Sequence, residues 1–544
     1  MIAPYTLNTG KTQPKTKKMI NDLLIKNGTI IDGTGAPWFK ADLTTQGDKI
    51  INIGAIREDA KQTIDAKGLV VSPGWIDIHV HADHTILGNP EGQSYVHQGI
   101  TTVTMGNCGL SMYPVSKEHR EDIIEYLKPF TNGLPLKYDW TNLEEFNQKI
   151  MEKGTSLNLV PFVGHGSIRI ATMGFQNRAP DYYELETMIK YLVEAMKQGS
   201  HGMSTGLGYP PGLYAQDDEL VKLSEVLREY NGMYSTHMRG DDSNLKETIK
   251  LGKEMKVPLE VSHLGSSCGG RKQLTGRHEE TTLRLIDKAR KNGLDITADI
   301  YPYTAGSSLL SQILPDWLHE GGVSKMLDRV SDPKVRQRIA AEYKKTERDF
   351  SKTMVSYVKT SKNKDIEGMN VAEIATKWGK NPVDAICDLL IDERAEAMNV
   401  SFWGVEEDVD TMVRNPHVMP CSDGWLLAPT GLLGTGKPHP RCYGAFPRYL
   451  YQYVILKKIL GLEDAVRRMT SMPAARLELQ DRGVLREGMK ADITVFDPKT
   501  VRDNSTYKTP HRYPDGIIHV IINGTVTIEN GEHTGALNGE IIKK

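Results

Sequence analysis

The sequence predicts an α/β fold: a TIM-like (β/α)8 barrel, a small β-sandwich built from both chain ends, and a subdomain inserted between barrel strands seven and eight. Three observations carry this. Eight near-continuous apolar runs alternate with helical periodicities, as strands buried on both faces of a parallel sheet do. Short alternating strands stand at both ends of the chain. The gap from Tyr303 to His417 is too long for one connecting helix.

Residues 1–18 read as a polar, Lys-rich disordered tail, with Met19 as an alternative start. Within 19–72, strands are expected at Asp22–Lys26, Thr29–Asp32, Ala41–Thr45, Lys49–Ile53 and Leu69–Val71, punctuated by Gly, Asn and Asp. Lone strands cannot bury a face. Their partners are sought in 481–544, where GMKADITVFD (488–497) and HVIINGTVTIENGE (519–532) alternate and turn at Asn-Gly. The barrel takes 73–480. Its strands are WIDIHV (75–80), ITTVTM (100–105), LNLVPFV (157–163), GMSTGL (202–207), MYSTHM (233–238), PLEVSH (258–263), DITADI (295–300) and HVMPCS (417–422). Helices are predicted over Tyr182–Lys197, Asp217–Glu229, Leu245–Met255 and Thr281–Lys291, with another near Glu118–Leu127 in the long 110–155 connection. Eight units point to a closed barrel, with an open sheet as the alternative. Residues 306–400 form the inserted subdomain or lid, with a strand at Thr353–Tyr357.

Composition narrows the function classes. The chain has 544 residues, 39% hydrophobic and 25% charged, with net charge −2. This argues against a globally basic nucleic-acid binder. No apolar run reaches the length of a membrane span. Five widely spaced cysteines with no C-x-x-C pair fit neither a disulfide framework nor a zinc ribbon, and suggest a reducing, cytoplasmic setting.

The chemistry collects at strand ends. His79 and His81 form H-x-H at the end of the first barrel strand, where residues i and i+2 share a side. His237 and His263 end the fifth and sixth strands. Cys108 follows the second and Asp423 the eighth. Singly, each has an ordinary structural explanation. Jointly, they place six metal-competent side chains at the barrel face where active sites lie. Imidazole, thiolate and carboxylate are zinc ligands.

WIDIHVHAD, GNCG, STGLGYPPG, STHMRGD, EVSHLG, DIYPY, CSDG and HPRCYGAFPR resemble the amidohydrolase superfamily, and within it the D-aminoacylase (N-acyl-D-amino-acid deacylase) family, over residues 20–535. The resemblance implies a metal-bearing barrel beside a β-sandwich. It implies His79, His81, Cys108, His237, His263 and Asp423 as metal ligands, with Cys108 able to bridge two positions. It implies one tightly held zinc and a second, weaker position. Asp423 would be the catalytic base and acid. Amide hydrolysis needs metal-activated water and a proton for the departing amine. The implied substrate is a small N-acyl-D-amino acid, with no nucleic-acid or membrane partner; an N-carbamoyl amino acid, a dipeptide or a carboxylate-blocked amide is the alternative.

Arg441 matches the family's arginine for the substrate α-carboxylate, whose planar shape suits a guanidinium fork. Tyr301 and Ser307 match further carboxylate contacts. One departure stands out. Gly265 occupies the position of the family's lysine, and Lys272 or Arg271 could replace it from the following loop. GLLGTGK (431–437) is not a phosphate-binding loop, because Pro438 stands where a hydroxyl is needed. His165 is expected to be a satisfied core histidine, His201 to sit at the wrong end of the barrel, and Cys268 to be a surface thiol.

Overall fold

The structure, a computed structural model, describes residues 21–240, 244–265 and 277–544. Residues 1–18, Met19, Cys268, Arg271 and Lys272 lie outside the described residues.

Eight barrel strands form at the predicted runs: Trp75–Asp77, Ile100–Met105, Asn158–Pro161 (continued by Val163–Gly164), Gly202–Gly206, Met233–His237, Leu259–Val261, Ile296–Ile300 and Val418–Pro420. Nearly every residue in them is buried, because helices cover one face and the barrel interior fills the other. Parallel ladders link first to second to third strand. A second set runs from Val163–Gly164 through the fourth to the eighth. The ring closes just beyond the strands. There Asp423 N donates to His79 O and His81 N to Gly424 O, both at 2.9 Å. Closure thus fixes two candidate ligand loops against each other. Helices Tyr182–Lys197, Asp217–Glu229 and Leu245–Met255 match their expected bounds. Asp181 and Glu184 form a capping box that starts the first of them.

Both chain ends meet in one nine-stranded sheet. Val70–Pro73 pairs antiparallel with Ile493–Phe496, Ile493 opposite Pro73 and Phe496 opposite Val70. The sheet encloses a core of its own, including Leu23, Leu43, Ile50, Ile493 and Ile521. Two expectations need correction. Asp22–Lys26 and Thr29–Asp32 are one strand, Asn21–Ile30. Asn27 is left-handed (φ 61°), and the pairing register shifts between Ile25 and Gly28. A bulge absorbs what reads in sequence as a turn. The second miss is a strand at Ala60–Asp65. The Asn523–Gly524 turn has positive φ at both residues (47° and 79°), as a type I′ hairpin requires.

The insertion between the seventh and eighth strands carries a three-stranded antiparallel sheet, Ala305–Leu309, Met398–Phe402 and Thr353–Tyr357 in that order. It has a separate apolar core around Leu310, Val355, Ile374 and Leu389. Lys128 of the long 110–155 connection pairs with Glu396 of the insertion at 3.2 Å.

Candidate metal centre and active site

All six predicted ligands converge. His79 Nε2 lies 3.1 Å from Cys108 Sγ and 3.4 Å from Asp423 Oδ1. His81 Nε2 lies 3.1 Å from Asp423 Oδ1. Cys108 Sγ lies 3.3 Å from His263 Nε2, which is 2.9 Å from His237 Nδ1. The donors make two sets, each within 4.8 Å: His79, His81, Cys108 and Asp423; and Cys108, His237 and His263. Cys108 belongs to both, as a bridging thiolate would. The residues therefore fit a divalent metal by donor chemistry and by spacing. His79 and His81 keep their Nδ1 atoms buried without a hydrogen-bond partner.

Backbone conformation aims these groups. Cys108 (φ 55°), His263 (φ 36°) and Asp423 (φ 50°) are all left-handed, a conformation that costs a non-glycine residue on the order of 1 kcal/mol or more. Each turns the chain where a strand ends. Gly208 permits a close approach: a Cβ there would stand 2.7 Å from His237 Nε2.

Electrostatics follow from burial and partners. Burial opposes ionising the Cys108 thiol, but the imidazoles of His79 and His263 outweigh it and hold its pKa well below the usual thiol value. Burial likewise opposes ionisation of Asp423. The Arg441 guanidinium, 2.7 Å from Oδ2, prevails and holds the carboxyl well below the ordinary range. The site is set to present a thiolate and a carboxylate.

Arg441 is buried at the start of helix Arg441–Tyr449. Its Nη1 holds Asp423, and its Nη2 has a 3.3 Å contact with Ser307 O. Its Nε is buried without a partner. The guanidinium carbon lies 4.5 Å from the centre of the Tyr301 ring. Tyr301, Ser307 and Arg441 line one cavity of about 440 Å3 with His81, Cys108, His237, His263 and Asp423. Gly265 has φ +84°, so a lysine at that position would be strained in this backbone.

Two acids were not anticipated. Asp299, buried at the end of the seventh strand, accepts the His263 amide at 2.7 Å and faces His79 Nδ1 at 3.4 Å. Asp77 accepts the amides of His79 and Ser422, and burial pushes its pKa up to about 7. The available signal was an acid inside an apolar strand run: DITADI, and Asp77 two residues before His79. His165 is a buried histidine satisfied on one side only: Nε2 lies 2.7 Å from Glu219, while Nδ1 is buried without a hydrogen-bond partner. His201 sits at the opposite barrel end, near the carbonyls of Leu477 and Ile542. Leu432–Gly434 is a short 3-10 turn that opens no helix, unlike a phosphate-binding loop.

Residues 62–528 match the model of the amidohydrolase family. The chain belongs to that family. This amidohydrolase is 32% identical over 531 residues to the D-aminoacylase of Alcaligenes xylosoxydans xylosoxydans, covering 96% of this chain and 98% of the relative. Its fold superposes on N-acyl-D-glutamate deacylase from Bordetella bronchiseptica, solved with zinc and a phosphonate mimic of the tetrahedral intermediate. The TM-score is 0.80 at 29% identity, covering 97% and 100% of the two chains. A D-aminoacylase structure with a binuclear metal centre, described by one-metal activation and second-metal attenuation, matches with TM-score 0.80 and 29% identity over 96% and 100%. Among the described residues, no helix of this amidohydrolase is long and apolar enough to cross a membrane.

Proposed function

We propose that this amidohydrolase cleaves the amide bond of N-acyl-D-amino acids, releasing a carboxylate and the free D-amino acid. One observation carries the reading: five of the six metal-competent side chains, Asp423 among them, line one cavity, and Asp423 Oδ2 is paired to a buried arginine. The overall likeness to D-aminoacylase supports the choice of substrate class. His79, His81, Cys108 and Asp423 would hold zinc, and His237 and His263 with Cys108 a second, weaker position. Bound zinc supplies carbonyl polarisation and water activation at neutral pH.

The protein's own groups do the rest. Asp423, kept ionised by Arg441, accepts the proton of the attacking water at a carboxylate oxygen. It returns that proton to the nitrogen, because an amine leaves poorly as an anion. Arg441 spends Nη1 on Asp423. Its unpartnered Nε and lightly engaged Nη2 form the edge that receives the α-carboxylate. Tyr301 supports the guanidinium face, and Ser307 stands beside Nη2.

The test is amine release from matched N-acetyl-D-, N-acetyl-L- and N-carbamoyl-amino acids with zinc-loaded protein. Hydrolysis confined to the D-acyl compounds is expected. Asp423→Asn should keep a metal but lose about 10²–10⁴-fold in kcat. Turnover near wild type in that variant would remove Asp423 from its role. Faster hydrolysis of the L or carbamoyl series would replace the substrate assignment.

A further inference from the structure

The terminal sheet reaches the active site through a side chain that the reaction above does not use. Between the paired strands Ile493–Phe496 and Ile517–Ile522 the chain leaves the sheet in a long loop. Arg502 and Asp515 close its neck: their backbones exchange hydrogen bonds at 3.3 and 3.1 Å, and their side chains pair at 2.7 Å. At the tip, Thr509 N donates to Thr506 Oγ1 at 3.0 Å. The loop is braced within itself, and Tyr507, inside that turn, packs against other parts of the molecule.

Tyr507 is half-buried and forms one side of a box around His439. Three tyrosine rings meet the imidazole edge to face: Tyr303 at 5.0 Å, Tyr507 at 5.2 Å and Tyr301 at 6.0 Å between centres. Tyr301 and Tyr303 follow the seventh barrel strand; Tyr507 comes from the terminal sheet. His439 is fully buried and bonded through both nitrogens. Nδ1 accepts the Arg441 amide at 3.0 Å, and Nε2 donates to Ala305 O at 2.9 Å. It therefore ties the first residue of helix Arg441–Tyr449 to strand Ala305–Leu309, which carries Ser307. The Tyr507 ring also meets Phe402 at 4.9 Å, against a small apolar cluster of Ala305, Met354 and Val400. Phe402 and Arg441 both line the cavity. One ring from the terminal sheet thus backs two pieces of the cavity wall.

We propose that Tyr507 is a positioning residue: by backing His439 and Phe402 it fixes the Arg441 edge that receives the α-carboxylate. This rests on the amide-hydrolysis reading above. The ring carries the effect. Its hydroxyl lies 3.5 Å from His439 Nε2, too far to add much where Ala305 O already takes the proton. Asp423 keeps its own tie to the first strand, from its amide to His79 O at 2.9 Å. Losing the Tyr507 ring should therefore cost binding more than turnover, since a carboxylate clamp acts alike on substrate and transition state.

The test compares Tyr507→Ala and Tyr507→Phe with wild type, all zinc-loaded, on N-acetyl-D-alanine, N-acetyl-D-leucine and N-acetyl-D-glutamate. Tyr507→Ala should raise KM about 5- to 100-fold, the worth of two aromatic contacts, with kcat within about threefold. Tyr507→Phe should stay near wild type in both. Unchanged KM in Tyr507→Ala, a kcat loss as large as the KM rise, or equal damage in the two variants overturns the proposal. Hydrogen exchange adds a readout that needs no substrate. A peptide spanning 438–444, which carries the Arg441 amide, should exchange faster in Tyr507→Ala and at the wild-type rate in Tyr507→Phe. The outer barrel helix Asp217–Glu229 should keep its rate in both. If wild type cleaves none of the three compounds, the amide-hydrolysis reading fails, and exchange alone decides about Tyr507. Faster exchange confined to 438–444 supports the positioning role; unchanged exchange there, or acceleration shared by the outer helix, overturns it.

Discussion

Asp299 reaches two candidate ligands with one oxygen. Its Oδ1 accepts the His263 amide and faces His79 Nδ1, leaving His79 Nε2 turned toward Cys108 and Asp423. Burial would depress the His79 pKa, but the Cys108 and Asp299 charges raise it well above the usual value. A carboxylate behind a ligating imidazole fixes its orientation and strengthens it as a donor. Asp299→Asn should therefore loosen metal by about 10- to 100-fold in competition with a chelator, leaving the far-ultraviolet spectrum unchanged. Unchanged affinity would make Asp299 a barrel-packing acid only. The ligands themselves were legible from sequence, because H-x-H and strand-end placement are one-dimensional signals. Asp299 and Asp77 were not, since their roles depend on which neighbour each strand faces. The left-handed turns at Cys108, His263 and Asp423 were also hidden. Non-glycine residues carry no composition signal for positive φ, and only the surrounding fold enforces it.

Elements were read best where packing repeats. All eight barrel runs and three helices formed as expected, because burial on two faces leaves an apolar strand no alternative reading. Irregular pieces were read less well. Asn21–Ile30 hides a bulge, and Ala60–Asp65 alternates too weakly to stand out. A segment with no strand signal also proves structural. Residues 538–544 lie against the third barrel strand and its neighbours at the barrel's closed end. Gly539 N donates to Thr155 O, Leu159 N to Glu540 O, Ile542 N to Leu159 O and Lys544 N to Gly199 O, at 2.7–3.1 Å. Glu540 also pairs with the otherwise buried Arg482 at 2.8 Å. Deleting residues 539–544 strands the buried Leu159 amide and weakens the Arg482 network. The expected cost is about 2–5 kcal/mol, at 1–3 kcal/mol per orphaned buried group. It should appear as a lower urea midpoint with an unchanged m-value. An unmoved midpoint would show that water replaces these contacts.

At the scale of the whole molecule, two neutral histidines sit on seams between substructures. His97 joins the barrel to the terminal sheet region. Its ring stacks on Tyr513 at 3.7 Å, and Nδ1 lies 2.7 Å from Gln93 O. Burial brings its pKa down to about 4. His439 joins the barrel to the insertion. Its Nδ1 accepts the Arg441 amide and Nε2 donates to Ala305 O, and burial beside Arg441 holds its pKa well below the usual value. Both groups are neutral in the fold and protonate readily once unfolded. Between about pH 6.5 and 4 the unfolded chain therefore binds more protons than the native one. Stability is full above about pH 6.5 and falls as pH drops through that window. For His97 the loss is on the order of 3 kcal/mol by about pH 4, at about 1.36 kcal/mol per pH unit of depression. Carboxylates add their own losses at the acid end, so the decisive quantity is a difference. His97→Phe keeps an aromatic face for Tyr513 and removes the proton. Its urea midpoint should fall less than that of wild type between pH 6.5 and 4, with the two proteins changing in parallel above pH 7. Parallel decline through the acid window would mean that His97 takes up its proton without leaving the stack. The seam between barrel and terminal sheet would then hold an imidazolium, and its stability would rest on the ladder from Val70–Pro73 to Ile493–Phe496.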